Sequence, residues 1–100
     1  MKHFVLTYHY VKDYMARRDA YRAEHLARIQ KAVDEGFVLG AGVLPKEPSA
    51  LIVCYAQSID EVRAFAEDDP YNKAGLIASY EADDWIAAAG LPELLTPQRK

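Results

Sequence analysis

Asp13 to Gly36, DYMARRDAYRAEHLARIQKAVDEG, is the longest stretch that reads as one periodic element, and the rest of the chain is organised around it. Its apolar positions recur at helical spacing, so it is expected to form one helix. At about 100° per residue, Ile29, Val33 and Met15 fall on one side, with Leu26 at the edge and Ala32 close by. Arg18, Arg22 and His25 fall on that same side. Asp19, Ala23, Ala27, Gln30, Lys31 and Asp34 make the opposite, solvated face. The inner stripe is therefore apolar in its second half and basic in its first. A buried unpaired charge is costly, so these groups must meet a partner. Asp13 is expected to cap the helix through its side chain. Gly36 is expected to end it in the left-handed conformation.

Working outward, His3 to Tyr10 alternates, with Phe4, Leu6, Tyr8 and Tyr10 on one face and His3, Val5, Thr7 and His9 on the other. That is a first strand. Phe37 to Val43, FVLGAGV, reads as a second. Gly40 and Gly42 leave no side chain on one of its faces, which suits a bulge, tight helix packing or the approach of a ligand. Leu44 to Ser49, with Pro45 and Pro48, is a turn. Ala50 to Ala56, ALIVCYA, is a nearly continuous apolar run, expected as a central strand covered on both faces.

Ser58 and Glu61 have the spacing of a capping box. The helix behind them turns Ile59, Val62, Phe65 and Ala66 inward and ends near Glu67. Pro70 breaks it, and a turn runs to Gly75. Leu76 to Ala82 alternates as a fourth strand. Trp85 to Ala89 reads as a short helical or irregular tail ended by Gly90 and Pro92, and 97–100 as a frayed end. The order is βαββαβ: a ferredoxin-like α+β fold with both long helices on one face of a four-stranded antiparallel sheet. The other face needs a cover, so a homodimer or higher homo-oligomer is expected.

At 100 residues the chain is read as one domain, with a core over about 2–86 and a tail over 87–100. Half the residues (51%) are apolar and the net charge is −3 with signs interspersed, which argues against nucleic acid or an anionic membrane as partner. No apolar run approaches the roughly 20 residues of a membrane span. The N-terminal MKHFVLTYHY is strand-like rather than a leader. One cysteine, Cys54, cannot form an internal disulfide, fits a reducing cytoplasm and sits in a strand as an inert thiol.

Three features could carry chemistry: the Arg18/Arg22/His25 face, the Asp68-Asp69-Pro70-Tyr71 break and the glycine-spaced strand. The break is expected at the sheet end opposite the start of the first helix, with His25 far enough along to reach it. A His25–Asp69 pair is then geometrically possible. The carboxylate would fix the ring's tautomer and leave the other nitrogen to exchange a proton. Arginines on the same face would hold an anionic or phenolate-like group. The plainer alternatives are a core histidine satisfied by hydrogen bonding and arginines snorkelling to nearby carboxylates. No metal-ligand spacing links His3, His9 and His25, although a site from His9, His25 and Asp69 is possible in space. No phosphate loop or nucleophile elbow is present.

Arg22-Ala-Glu-His25-Leu26, Gly36, Gly40-Ala-Gly42, Asp69-Pro70-Tyr71 and Ala74-Gly75-Leu76, in that order, resemble the YciI-like (YCII-related) family from the first strand to Trp85. The resemblance implies a ferredoxin-like fold of the dimeric α/β-barrel kind. It also implies a His–Asp pair in a pocket, carried here by His25 and Asp69. One relative acts as a dehydrochlorinase on a chlorinated hydroxyhydroquinone, and muconolactone isomerases share the fold. Where the family often has Gly-Pro-Leu after the second strand, this chain has Gly42-Val43-Leu44-Pro45. The expectation is a cofactor-free lyase or isomerase for a small cyclic or aromatic acid or phenol. His25 and Asp69 are its acid–base pair, Arg18 and Arg22 hold an anionic group, and Tyr71 and Gly42 line the pocket. The alternative is a non-catalytic module that binds a small anion.

Overall fold

A computed structural model describes residues 1–99. The chain runs β1 (Lys2–Tyr10), α1 (Tyr14–Arg17), α2 (Asp19–Asp34), β2 (Val38–Leu44), β3 (Ser49–Ala56), α3 (Ile59–Glu67), α4 (Pro70–Lys73), β4 (Ile77–Asp84) and α5 (Pro92–Leu95). The sheet order is β2-β3-β1-β4, and every neighbouring pair is antiparallel. This is the ferredoxin-like α+β arrangement. The period-two reading of β1 holds: Phe4, Leu6, Tyr8 and Tyr10 are buried, while His3, Val5, Thr7 and His9 are only half-buried on the other face. Ala50, Ile52, Cys54 and Ala56 of β3 continue the core, and Val62 and Ala66 of α3 close over it. None of the described helices is long and apolar enough to cross a membrane.

The decisive stretch departs from its reading in three ways. It is two helices, because the Tyr21 N–H turns to the Arg18 carbonyl at 2.9 Å, a tight i→i−3 bond at the junction. The Asp13 side chain caps nothing and instead lies 3.4 Å from Arg17. The inner line is His25 and Ala32, with Arg28 and Ile29 half-buried, whereas Met15 (61%), Leu26 (45%) and Val33 (38%) are exposed. The helix is thus rolled so that its small and polar residues meet the sheet. Gly36 does end it, at φ 79°, in a Schellman motif: Phe37 N–H donates to Ala32 O at 2.9 Å and Gly36 N–H to Val33 O at 3.0 Å.

Other local expectations are corrected too. Ser58 makes no side-chain cap; Glu61 accepts from the Gln57 N–H at 3.0 Å and forms a forked pair with Arg99. Arg99 holds the Glu61 carboxyl below the usual range, chiefly by that hydrogen bond. The turn after Asp69 is a one-turn helix, α4, closed by a second Schellman motif at Gly75 (φ 76°), with Leu76 N–H donating to Tyr71 O at 2.9 Å. Trp85 to Ala89 is irregular, and Pro92 opens α5 rather than ending a helix. The C-terminal segment is docked up to Arg99 rather than frayed; its last residue, Lys100, lies outside the described residues. Within one chain β3 is covered on one face only, since Leu51 is 40% exposed and Val53 and Tyr55 are half-buried. The glycine strand carries a bulge between Val38 and Gly40, but nothing packs on the glycines themselves: a Cβ at Gly40 or Gly42 would meet nothing within 4 Å.

The start of the first helix and the Asp69 break do not lie at opposite ends of the sheet as expected, and the reason is topological. β4 runs antiparallel to β1, so the end of β1 and the start of β4 coincide, with Tyr10 paired to Ile77. The first helix therefore begins at the same sheet end as the Asp69 break. His25 reaches Asp69 without spanning the molecule.

Candidate functional site

Asp69 is fully buried at 0% exposure, and its position follows from local sequence. Pro70 forces Asp69 into extended backbone (φ −64°, ψ 131°), the geometry of an N-cap. Its carboxylate accepts from the Tyr71 N–H at 2.9 Å. The Tyr8 hydroxyl donates to Oδ2 at 3.0 Å from the floor of the sheet. His25 Nδ1 stands 2.8 Å from Oδ1 and 3.0 Å from Oδ2. Three donors from three elements thus converge on one carboxylate. Burial, and then the charge of Asp69, push the Tyr8 phenol far above its ordinary range, so Tyr8 stays a donor.

The tautomer follows from this geometry. A carboxylate only accepts, so Nδ1 must carry the hydrogen. In the neutral ring Nε2 is then the acceptor. It has no hydrogen-bond partner among the described residues and is not sealed from solvent, because the buried unpaired atoms are Arg18 Nε and Arg28 Nη1. The imidazole lies flat on Tyr71, with centroids 3.8 Å apart and planes within 6°. Packing and hydrogen bonding therefore fix both the plane and the rotation of the ring.

The open edge of His25 faces a cleft of about 170 Å³. One wall is α1 and α2, with Tyr14, Arg18, Arg22 and Leu26; the other is the sheet, with Tyr10, Ile52 and Gly42. Tyr71 closes the bottom, and its phenol is pushed up to about 12, first by burial and then by Tyr14, against the opposing pull of Arg18 and Arg22. Arg22 is exposed at the cleft wall and makes no hydrogen bond or ion pair among the described residues. Arg18 is partly engaged: its Nη1 donates to the Tyr14 hydroxyl at 3.5 Å.

All six residues singled out from sequence, His25, Asp69, Arg18, Arg22, Tyr71 and Gly42, come to this cleft or to the pair beneath it. His9 does not. It lies on the opposite sheet face, 2.9 Å from Glu81, so no His9/His25/Asp69 cluster exists. Sequence reasoning missed Tyr8, Tyr10 and Tyr14. Part of the signal was present: β1 carries two tyrosines on one face, and a phenol buried there would need a hydrogen-bond partner. Cys54 is a buried thiol that burial pushes up to about 12, which suits an inert core residue. A roomier hollow of about 310 Å³ holds Arg28 over Phe65 and the Glu61–Arg99 pair, with no imidazole.

Comparison with known proteins sets this site in a family. Protein YciI of Escherichia coli O6:H1 is 34% identical over 74 residues, 64% of this chain and 76% of the relative. Among solved structures, 5-chloro-2-hydroxyhydroquinone dehydrochlorinase (TftG) of Burkholderia phenoliruptrix AC1100, in complex with 2,5-dihydroxybenzoquinone, superposes with a TM-score of 0.74. It is 24% identical, over 86% of this chain and 95% of that one. A NIPSNAP family protein of Agrobacterium tumefaciens C58 gives a TM-score of 0.53 at 19% identity, over 86% and 91%. The sheet order and helix placement are thus those of the ferredoxin-like fold used in dimeric α/β-barrels. The pattern that defines the YCII-related domain spans residues 1–86, which takes in β1 through β4 and every residue lining the cleft, and the chain belongs to that family.

Proposed function

We propose that the protein is a cofactor-free acid–base catalyst, a lyase or isomerase, for a small cyclic or aromatic acid or phenol. The observation that carries this reading is the His25–Asp69 pair at 2.8 Å with Nε2 left open to a cleft. A base fixed in tautomer, plane and rotation can take a proton without reorganising, and help of this kind contributes roughly 10²–10⁴-fold. The cleft volume, about 170 Å³, suits one substituted ring, given that a cavity of about 150 Å³ holds benzene. Arg22 at the cleft wall supports an anionic substituent. The dehydrochlorinase similarity makes chlorinated hydroxyhydroquinones the first compounds to try.

The test is turnover of a panel of chlorinated hydroquinones and unsaturated lactones by the protein with no added cofactor and with chelator present. Turnover of at least one compound is expected. A ligand that raises the melting temperature and is never consumed favours a non-catalytic anion-binding role. Neither turnover nor a thermal shift contradicts both readings, because saturation at 100 times Kd stabilises by about 2.7 kcal/mol.

We infer further that a second copy covers the open sheet face. Val5, Thr7, Leu51 and Val53 lie there incompletely buried, and the neighbouring edge strand adds Leu44 (52% exposed) to the same face. An apolar sheet face of this kind favours association. Sedimentation equilibrium is expected to give at least twice the mass of one chain. A Val53→Lys variant should sediment as one chain, and a wild-type monomer at high concentration contradicts the inference.

A further inference from the structure

Tyr14 is the buried side chain of α1, at 4% exposure. Its ring lies parallel to that of Tyr10, with centroids 3.8 Å apart and planes within 4°, and meets Tyr71 edge-on at 5.9 Å. Packing therefore fixes where its oxygen sits. That oxygen accepts from Arg18 Nη1 at 3.5 Å, and the guanidinium carbon stands 5.6 Å over the ring. Arg18 Nε is sealed from solvent without a hydrogen-bond partner among the described residues, with the Asp19 carboxylate at 3.9 Å. A phenol that accepts one hydrogen bond still has its own O–H to give. Tyr14 and His25 line the same cleft.

We propose that Tyr14, rather than Arg18, touches the substrate oxygen on which charge develops, and that Arg18 is a positioning residue acting through it. This rests on the acid–base reading of the cleft. When His25 Nε2 takes a proton from a ring carbon beside a carbonyl, the C–H electron pair becomes the C=C bond of an enolate. The carbonyl π pair moves onto oxygen. The Tyr14 O–H donates to that oxygen and gains most as the charge forms, which lowers the barrier rather than only tightening binding. A guanidinium donating to the phenol oxygen polarises its O–H and makes it a stronger donor. This division leaves Arg22 to hold a carboxylate or second oxygen.

The test uses 4-nitrophenol, whose absorption reports phenol and phenolate separately. At a fixed pH, the probe bound to the wild-type protein is expected to be more ionised than free probe. Tyr14→Phe keeps the ring stack and should lower the bound phenolate-to-phenol ratio about tenfold, the effect of losing one charge-assisted hydrogen bond. Arg18→Met should move the ratio in the same direction, which a merely structural arginine would not do. A wild-type bound probe no more ionised than the free one, or a Tyr14→Phe ratio equal to wild type, overturns the Tyr14 role. An unchanged Arg18→Met ratio overturns the positioning role. A probe that does not bind overturns both. Retained turnover in His25→Ala would overturn the acid–base reading itself, whichever way the probe titrates, so the two failures are read separately.

Discussion

Replacing Asp69 by alanine is expected to lower the unfolding free energy by about 3–5 kcal/mol, by leaving three buried hydrogen-bond donors without their acceptor. Asp69 has 0% exposure and accepts from Tyr8, His25 and the Tyr71 backbone. Alanine leaves all three donors facing a protein interior. Each unpaired buried donor costs about 1–3 kcal/mol, and partial relaxation keeps the total below their sum. For a domain of this size about 1 kcal/mol moves the midpoint by roughly 4–8 °C, so the melting temperature should fall by more than about 10 °C. Thermal unfolding followed by circular dichroism reads this directly. A fall of about 2 °C or less would show that the carboxylate is not the hub of these contacts. Asp69→Asn should be milder, because the amide oxygen still accepts from the Tyr71 N–H and caps α4.

The fold was legible because its strands announce themselves. Phe4, Leu6, Tyr8 and Tyr10 alternate against polar neighbours, and Gly36 and Gly75 mark where the chain needs positive φ. The helix stripe was less legible. Its polar members His25, Arg18 and Arg22 were placed correctly on the cleft side, yet Met15 and Val33 turned outward. Periodicity locates a face to within about one residue, and α2 is rolled by that much, with His25 held inward by its hydrogen bond to Asp69. Ser58 and Asp13 show a second limit. A capping residue in sequence is only an offer: Asp13 lies against Arg17 instead, and Glu61 keeps its bond from the Gln57 N–H while pairing with Arg99. The aromatic floor was hidden for another reason. Which face of β1 meets the helices depends on tertiary packing, so Tyr8 could not be assigned to Asp69 before the two were seen 3.0 Å apart.

The site's logic also explains why the pair sits where two helix ends meet. α4 is only one turn long, and it holds Asp69 and Tyr71 at fixed separation through its N-cap and its Schellman close. The ring of His25 is clamped between that cap and the Tyr71 face. Loosening any one of these contacts would let the ring turn, and a base that turns loses its aim on the substrate proton.

The largest effect on activity is expected at the pair itself. His25→Ala removes the base and should lower kcat by roughly 10²–10⁴-fold on whichever compound the wild type consumes. Asp69→Asn is the more pointed variant. Its amide can turn its NH₂ toward Nδ1, which then must accept, and the hydrogen moves to Nε2. The ring stays in place but carries its proton on the wrong atom. The decisive measurement is therefore kcat for His25→Ala and Asp69→Asn side by side, each shown folded by circular dichroism. The acid–base role of the pair requires both to fall by roughly 10²-fold or more, with KM changed far less. Turnover at the wild-type rate in either folded variant would contradict it.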